Sequence, residues 1–260
     1  SEVITKRKTA EKALQLSEQK FEEIFRLSPY LVTLTAMDGR VIEVNDMIFE
    51  TFGYTREEFL GNNTTELPIW VHPEERASTI KKLKEAWVLY EREVQFRKQS
   101  GRINDFLVSA TIIELNNENV LLCIIHDISE RKEKEKALQD TILTAIEQGL
   151  VQSAHDCSDG GLAVTLAESC ITDKKIGAQI NLEAGSIRKD ALRFGETQSR
   201  VILSAKQDNA EKILQLAKRN QVPASVIGKV GGNKLVIDGL IDISVNDLNE
   251  TWSKAIEKVL

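Results

Sequence analysis

The sequence predicts two α+β domains joined by a helix, and three observations support this prediction. The chain has 260 residues, which is the length of two ordinary domains. Twelve of its 14 aromatic residues precede residue 140, whereas 10 of its 14 glycines follow it, so the two halves have cores of different composition. Between them, residues 129–138 contain neither glycine nor proline and consist mostly of residues that favour helices.

The composition and charge argue against several classes of partner. No apolar run approaches 18 residues, so we expect no transmembrane helix and no membrane partner. The chain has 34 Lys and Arg against 40 Asp and Glu, and its net charge of −6 argues against nucleic acid as a partner. Three scattered cysteines do not form a disulfide framework and indicate a reducing compartment. We therefore expect a cytoplasmic protein.

The first half opens with a charged helix that is predicted to end near Leu27. Its apolar stripe comprises Ala10, Ala13, Leu14, Phe21, Ile24 and Phe25. Such a stripe either packs on a neighbouring element or forms a parallel coiled coil. The elements that follow are predicted to be strands at 30–35 and 41–44, helices at 45–52, 55–60 and 73–90, and strands at 91–98, 103–115 and 119–128. Thr55 and Glu58 have the spacing of a capping box at the start of one of these helices.

Several motifs in this half resemble the PAS domain family. They are Phe21–Pro29, Asp38–Val41, Val44-Asn45, Phe52–Tyr54, Glu58–Gly61, His72–Arg76 and Asp127–Lys132. The resemblance implies a five-stranded antiparallel sheet with flanking helices, a small ligand pocket, and signalling helices through which such domains commonly form homodimers. We expect residues 1–20 to form an N-terminal signalling helix and residues 21–128 to form the sensory domain.

The residues of this half argue against two common PAS cofactors and leave the ligand unnamed. A cysteinyl-flavin adduct needs a thiol after the Gly-X-Asn motif, but Thr64 stands there. A haem needs an axial ligand, and residues 77–82 contain no histidine. Asn45 and Trp70 are candidate contacts for a small molecule in the PAS pocket, although aromatic residues also commonly fill a core. A protein-interaction module without a ligand is the alternative.

The second half is predicted to follow a helical linker at 129–150 and to extend over residues 151–260. Its densest cluster of functional residue types is Ser153-Ala154-His155-Asp156-Cys157-Ser158-Asp159-Gly160-Gly161-Leu162, a polar, glycine-containing turn before an apolar helix. The predicted elements are a helix at 162–167, strands at 178–182, 200–205, 224–228, 234–237 and 241–245, and helices at 187–194, 208–220 and 246–260.

The start of this apolar helix is a candidate site for a phosphate. Unpaired backbone N–H groups at a helix start attract anions, and Gly160 and Gly161 permit close approach of a ligand. The carboxylates of Asp156 and Asp159 are suited to Mg²⁺, which binds one or two carboxylates together with phosphate oxygens. The alternative is that Ser158 or Asp159 only caps the helix.

Three segments of this half resemble the C-terminal domain of phosphoribosylformylglycinamidine synthase, in the AIR synthase-related superfamily. They are Gly149–Val164, Phe194–Arg200 and Ile227–Gly232. The resemblance implies Mg²⁺ and ATP or ADP as ligands, with Asp156 on the metal and Ser158 on the nucleotide beside Gly160 and Gly161. Candidate contacts in the surrounding cleft are His155, Asp159, Glu196 and Arg200.

This family performs the ATP- and glutamine-dependent amidation of formylglycinamide ribonucleotide in purine biosynthesis. The resemblance covers only one of the synthase domains and includes neither its catalytic histidine nor its glutaminase. We therefore assign no catalytic residue and expect a PAS sensory or partner-binding module coupled to a nucleotide- and Mg²⁺-binding domain that does not catalyse the reaction alone. The alternatives are a partial synthase subunit acting with the remaining domains, and a dimerising scaffold. A natural fusion, an engineered chimera and two joined reading frames are all compatible with the junction.

Overall fold

A computed structural model describes residues 2–172, 174–182 and 187–254, without the side chains of residues 2–7, 9, 10, 13 and 14. The chain divides into two compact units between Lys132 and Glu133. Among the described residues, no helix is both long enough and apolar enough to cross a membrane.

The first unit is built on a single five-stranded sheet. Its elements are α1 (Glu2–Leu27), β1 (Leu31–Ala36), β2 (Val41–Val44), α2 (Met47–Phe52), α3 (Arg56–Phe59), α4 (Pro73–Ala86), β3 (Val88–Arg97), β4 (Ile103–Leu115) and β5 (Glu118–Asp127). The strand order is β2-β1-β5-β4-β3, and every neighbouring pair is antiparallel. The α+β class and the five-stranded antiparallel sheet predicted from the sequence are confirmed.

Two helices of this unit, α3 and α4, illustrate how local residues set element boundaries. The Thr55 side chain accepts a hydrogen bond from the Glu58 amide, and the Glu58 carboxylate accepts one from the Thr55 amide, so the predicted capping box is confirmed. The predicted continuation of α4 to residue 90 is wrong. Trp87 adopts a left-handed conformation with φ 64°, which ends α4, and β3 begins at the next residue.

Aromatic rings fill the centre of this unit. The ring of Phe52 lies 5.1 Å from that of Phe106 and 5.6 Å from that of Phe96, measured between centroids. All three side chains are buried, and such ring pairs add to the stability that burial already gives. On α1, by contrast, Ile24 and Leu27 are exposed. Of the predicted stripe, Ala10, Ala13 and Leu14 lie outside the described side chains.

In its described part, the second unit has two small sheets and four helices after the helix α5 (Ser129–Glu147), which spans the division between the units. Its other elements are β6 (Val151–Asp156), α6 (Gly161–Cys170), β7 (Ala178–Ile180), α7 (Lys189–Phe194), β8 (Val201–Ala205), α8 (Gln207–Arg219), β9 (Gly228–Val230), β10 (Lys234–Ile237), β11 (Ile241–Ser244) and α9 (Val245–Ser253). Among the described residues, one sheet has the order β11-β10-β7-β9 and the other pairs β6 with β8. Residues 255–260 of the predicted last helix lie outside the description.

Two strands of this unit differ from the prediction. Residues 153–156, predicted as part of a turn, belong to β6, because they pair with β8 although most of their side chains are exposed and give no alternating pattern. The strand predicted at 224–228 begins only at Gly228, where β9 pairs with β7. A Cβ on Gly228 would lie 2.1 Å from the Gln179 carbonyl oxygen, so glycine permits this close pairing of strands.

The hydrophobic core of the second unit lies between α6 and the four-stranded sheet. Leu162 and Leu166 of α6 are buried in one cluster with Leu235 and Ile237 of β10. This packing holds α6 against the four-stranded sheet and thereby fixes the position of the helix start that follows β6.

Candidate functional site

The start of α6 is shaped by two consecutive glycines in left-handed conformations. The φ angles of Gly160 and Gly161 are 80° and 66°. A Cβ on Gly161 would lie 2.8 Å from the Gly195 carbonyl oxygen and 2.8 Å from the Phe194 carbonyl carbon. These distances are too short for any other residue, so Gly161 permits the chain after α7 to pack directly on α6. In this structure the close approach at Gly161 is made by protein backbone.

A carboxylate from another segment caps this helix start. The Gly160 amide donates a hydrogen bond of 3.0 Å to Oε1 of Glu196, and the Gly161 amide donates one of 3.1 Å to the Ser158 carbonyl oxygen. A negative group is favourable here because the helix dipole is positive at this end. The predicted cleft residue Glu196 therefore lies at the candidate phosphate site. The alternative predicted from the sequence was a cap by the side chain of Ser158 or Asp159. In the structure, Ser158 contributes only its backbone carbonyl oxygen, which accepts from the Gly161 amide.

The side chains of Asp156, Ser158 and Asp159 are exposed beside this helix start, and they have no hydrogen-bond or ion-pair partner among the described residues. The described residues contain no group of three or more His, Cys, Asp or Glu that is arranged to hold a metal. A metal enclosed by protein ligands therefore does not fit these residues. A largely hydrated Mg²⁺ on Asp156 fits, because Mg²⁺ keeps several waters and takes its other ligands from phosphate.

His155 points toward the protein. Its Nδ1 lies 2.8 Å from the Asp156 carbonyl oxygen, which can only accept, so Nδ1 is the donor of this hydrogen bond. Its Nε2 lies 3.5 Å from Oε2 of Glu168 on α6. The Nδ1 hydrogen bond is therefore local to β6, and only Nε2 faces a group on α6.

Arg200 and Cys157 join the segment after α7 to the same site. The Cys157 amide donates to the Arg200 carbonyl oxygen at 2.8 Å, and the Arg200 guanidinium lies 3.4 Å from both the Leu192 carbonyl oxygen and the Thr197 hydroxyl. Burial raises the pKa of the Cys157 thiol, and this effect exceeds the opposing influence of Thr165 and Arg200. The thiol is therefore neutral at pH 7 and is not an activated nucleophile.

The sequence prediction missed an ion pair beneath this site. Arg193, which directly precedes Phe194 and Gly195, is buried and pairs with Asp238 at the end of β10. The available signal was an arginine directly before the Phe194–Arg200 motif, in a segment predicted to be a helix. Its partner lies 45 residues further along the chain, so spacing alone did not connect the two.

The two candidate residues of the PAS pocket have structural contacts. Asn45 is buried, and its Oδ1 accepts from the Val32 amide at 3.0 Å. Its Nδ2 donates to the carbonyl oxygens of Phe25 at 3.0 Å and Tyr30 at 2.9 Å. Asn45 therefore ties the end of α1 to the start of β1.

Trp70 packs edge-on against Phe96, with 4.7 Å between ring centroids, at the margin of the aromatic core. An open pocket of about 180 Å³ lies elsewhere in this unit, at the ends of β1 and β5. Its lining includes Tyr30, Met47, Glu50 and His126 but neither Asn45 nor Trp70. The structure thus separates the two predicted pocket residues from this pocket.

Comparisons with known proteins find two families along the chain. A family model described as AIR synthase related protein, C-terminal domain, matches residues 106–238, more than half of the chain. The chain belongs to this AIR synthase related family. A PAS domain model matches residues 28–130, so the chain is a fusion of a PAS domain with an AIR synthase related C-terminal domain. The two matches overlap at 106–130, which includes most of β4 and all of β5 of the PAS sheet.

Curated relatives are named as subunits of phosphoribosylformylglycinamidine synthase. Phosphoribosylformylglycinamidine synthase subunit PurL of Anaeromyxobacter dehalogenans strain 2CP-1 is 40% identical over 136 residues, covering 49% of this chain and 18% of PurL. PurL of Caldanaerobacter subterraneus subsp. tengcongensis is 41% identical over 129 residues, covering 48% of this chain and 17% of PurL. The chain thus spans less than a fifth of the length of these relatives.

Two solved structures are similar to part of the chain. The PAS domain of an HTR-like protein from Haloarcula marismortui has 23% identity and a TM-score of 0.39, covering 46% of this chain and 99% of that one. T. maritima PurL complexed with FGAR has 22% identity and a TM-score of 0.39, covering 44% of this chain and 21% of that one.

Proposed function

We propose that the AIR synthase related unit binds a Mg²⁺–nucleotide at the start of α6, and that the PAS unit is a sensory or partner-binding module coupled to it. The observation that carries the proposal is the exposed pair of Asp156 and Ser158, whose side chains have no partner among the described residues. They lie in the segment with which this chain resembles the synthase family. The Asp156 carboxylate would contact the metal, and the Ser158 hydroxyl would donate to a phosphate oxygen.

The charges at this site favour a metal-bound nucleotide over a bare one. Asp156, Asp159 and Glu196 bring three carboxylates to the segments around the helix start. Their repulsion of a free phosphate opposes the attraction of the helix dipole. A bound Mg²⁺ supplies positive charge between carboxylate and phosphate oxygens. ADP binding should therefore depend on Mg²⁺.

Calorimetry with Mg-ADP tests this assignment. Asp156→Asn removes the charged metal ligand and should weaken binding by about tenfold or more, as expected when one charge-assisted contact is lost. Asp208→Asn is the matched control, because Asp208 is an acidic residue in the first turn of α8 in the same unit. Equal affinities of the wild type and Asp156→Asn would contradict the assignment, as would equal binding of ADP with and without Mg²⁺.

A second candidate function is that of a partial synthase subunit, favoured by the 40% identity to PurL. In this case the chain would replace the C-terminal domain of PurL and contribute to the ATP- and glutamine-dependent amidation of formylglycinamide ribonucleotide. The experiment is to mix the full chain with a PurL that lacks its own C-terminal domain, together with the glutaminase component. Amidation that requires both proteins would support this function, and absence of both complex formation and turnover would contradict it.

The partners of the PAS unit follow from its exposed helix. Ile24 and Leu27 are exposed near the end of α1, and Phe21 stacks on Phe25 on the same helix. An apolar stripe of this kind supports a homodimer formed through the helices that flank the PAS domain.

A further inference from the structure

Arg193 is a buried cation directly beneath the candidate nucleotide site. It is 4% exposed, and its Nη2 donates to Oδ2 of Asp238. Its Nη1 donates to the Lys189 carbonyl oxygen at 2.5 Å, while its Nε has no partner among the described residues. Burying a charge is costly unless it is paired, so the pair with Asp238 is required for this arrangement.

Asp238 is itself held firmly. Its Oδ1 accepts from the Leu182 amide at 2.6 Å, and its own amide donates to the Ile180 carbonyl oxygen at 2.9 Å. Asp238 is therefore anchored to the end of β7 in the four-stranded sheet. The ion pair fixes Arg193, and with it the end of α7, to that sheet.

The backbone that follows Arg193 is in turn pressed against α6. Gly161 has room for no Cβ, because the Arg193 carbonyl oxygen, the Phe194 carbonyl carbon and the Gly195 carbonyl oxygen would lie 2.8–3.1 Å from it. The next residue, Glu196, reaches the Gly160 amide at 3.0 Å. A continuous series of contacts thus leads from Asp238 through Arg193 to the carboxylate at the helix start.

We propose that Arg193 and Asp238 are positioning residues for the candidate nucleotide site. Their ion pair holds residues 193–195 against Gly161 and thereby places the Glu196 carboxylate on the Gly160 amide. The Glu196 carboxylate accepts from one of the first amides at the start of α6. It therefore determines which amides remain free to bind a phosphate, and it reduces the positive potential at this end of the helix. The consequence for nucleotide binding rests on the proposed function, whereas the placement of Glu196 does not.

The placement is tested by following the Gly160 amide in NMR spectra of the full chain. Glu196→Gln should shift this resonance and increase its hydrogen exchange, and Arg193→Met should change both in the same direction. Arg193→Lys keeps the charge and should restore part of the wild-type signal. The double variant should match Glu196→Gln alone, because the two residues act through one hydrogen bond.

Asp242→Asn is the control for this experiment. Asp242 on β11 makes an exposed ion pair with Lys234 on β10, the strand that precedes Asp238. Loss of this exposed pair should leave the Gly160 resonance unchanged. If Arg193→Met does not fold, Arg193→Lys and Asp238→Asn carry the test. Folded variants of the Arg193–Asp238 pair with a wild-type Gly160 resonance would overturn the proposal.

Mg-ADP affinity then separates this proposal from the proposed function. Glu196→Gln removes the negative charge beside the Gly160 amide, and Arg193→Met moves that charge away and frees the amide, so each variant should bind Mg-ADP about threefold more tightly. A shifted Gly160 resonance in a protein that binds no Mg-ADP would overturn the proposed function alone and support the placement. Wild-type binding together with a Gly160 resonance that Arg193→Met does not move would overturn only the placement.

Discussion

Gly161 is the residue of the site whose identity the structure constrains most strongly. Gly161→Ala would place a Cβ 2.8 Å from backbone atoms in a left-handed conformation, and we expect it to lower the free energy of unfolding by about 3 kcal/mol. Gly232→Ala is the matched control, because Gly232 also has a positive φ but has nothing within 4 Å of the added atom. Gly232→Ala should lower the free energy of unfolding by only about 1 kcal/mol. Urea unfolding followed by circular dichroism measures both values.

Equal losses in the two alanine variants would contradict this account, because the positive φ angle would then explain the whole effect. A larger loss at Gly161 would show that the close packing of α6 on residues 193–195 contributes separately. The comparison therefore isolates the contact that brings Glu196 to the helix start.

At the residue scale, the sequence predicted the start of α6 but not the contacts made there. The apolar helix begins at Gly161, within one residue of the predicted start, whereas Asp156 is the last residue of β6. The carboxylate that caps this helix belongs to Glu196, which is 36 residues further along the chain. Such a contact depends on how α7 packs on α6, and helix periodicity carries no information about that.

At the scale of elements, prediction was accurate where burial alternates and poor where it does not. The bounds of β4, Ile103–Leu115, are those predicted, because its inward side chains alternate with outward ones. β6 has no such alternation, since its pairing with β8 leaves most of its side chains exposed. The end of α4 at a left-handed Trp87 was also missed, because tryptophan gives no signal for a positive φ.

The junction of β5 with α5 is held by Asp127, whose contacts predict a pH dependence. Burial would raise the pKa of this carboxyl, but hydrogen bonds from Lys98, Ser129 and Asn104 outweigh that effect and lower it. A lowered pKa means that the folded state favours the ionised form. The stabilisation of the folded state by the ionised Asp127 carboxylate should therefore be fully present above about pH 4. It should be lost as the pH falls through the lowered pKa of Asp127.

Asp127→Asn should remove this contribution to the stability of the first unit. In a Trp252→Phe background, where only Trp70 and Trp87 of the first unit fluoresce, urea unfolding would show a stability difference from the parent protein that is large at pH 7 and shrinks below about pH 4. Asp46→Asn is the control, since the Asp46 side chain makes no cap hydrogen bond at the start of α2. A difference that is the same at pH 7 and pH 3 would contradict the role assigned to the Asp127 charge.

At the scale of the whole molecule, α5 is the element that belongs to both units. At one end the Ser129 hydroxyl accepts from the Asp105 amide at 2.9 Å, and at the other the Thr141 hydroxyl accepts from Asn220 at 2.8 Å. Residues 133–136 between these ends are exposed. An unbroken helix anchored in this way can transmit a change from one unit to the other.

Inserting two glycines after Glu135 tests this coupling. If α5 transmits a change, Asp127→Asn should alter Mg-ADP affinity in the intact chain and leave it unaltered in the chain with the insertion, because glycines interrupt the helix. The insertion alone should preserve the far-ultraviolet circular dichroism of both units. An effect of Asp127→Asn that survives the insertion would contradict coupling through the helix, as would the absence of any effect in the intact chain.

Binding of a Mg²⁺–nucleotide by the AIR synthase related unit at the start of α6 can be measured on the full chain. The experiment is native mass spectrometry with ADP, in the presence and absence of Mg²⁺. We predict one Mg-ADP adduct per chain, which is lost without Mg²⁺ and strongly reduced in Asp156→Asn. A chain that carries no adduct, or an adduct that Asp156→Asn retains in full, would contradict the claim.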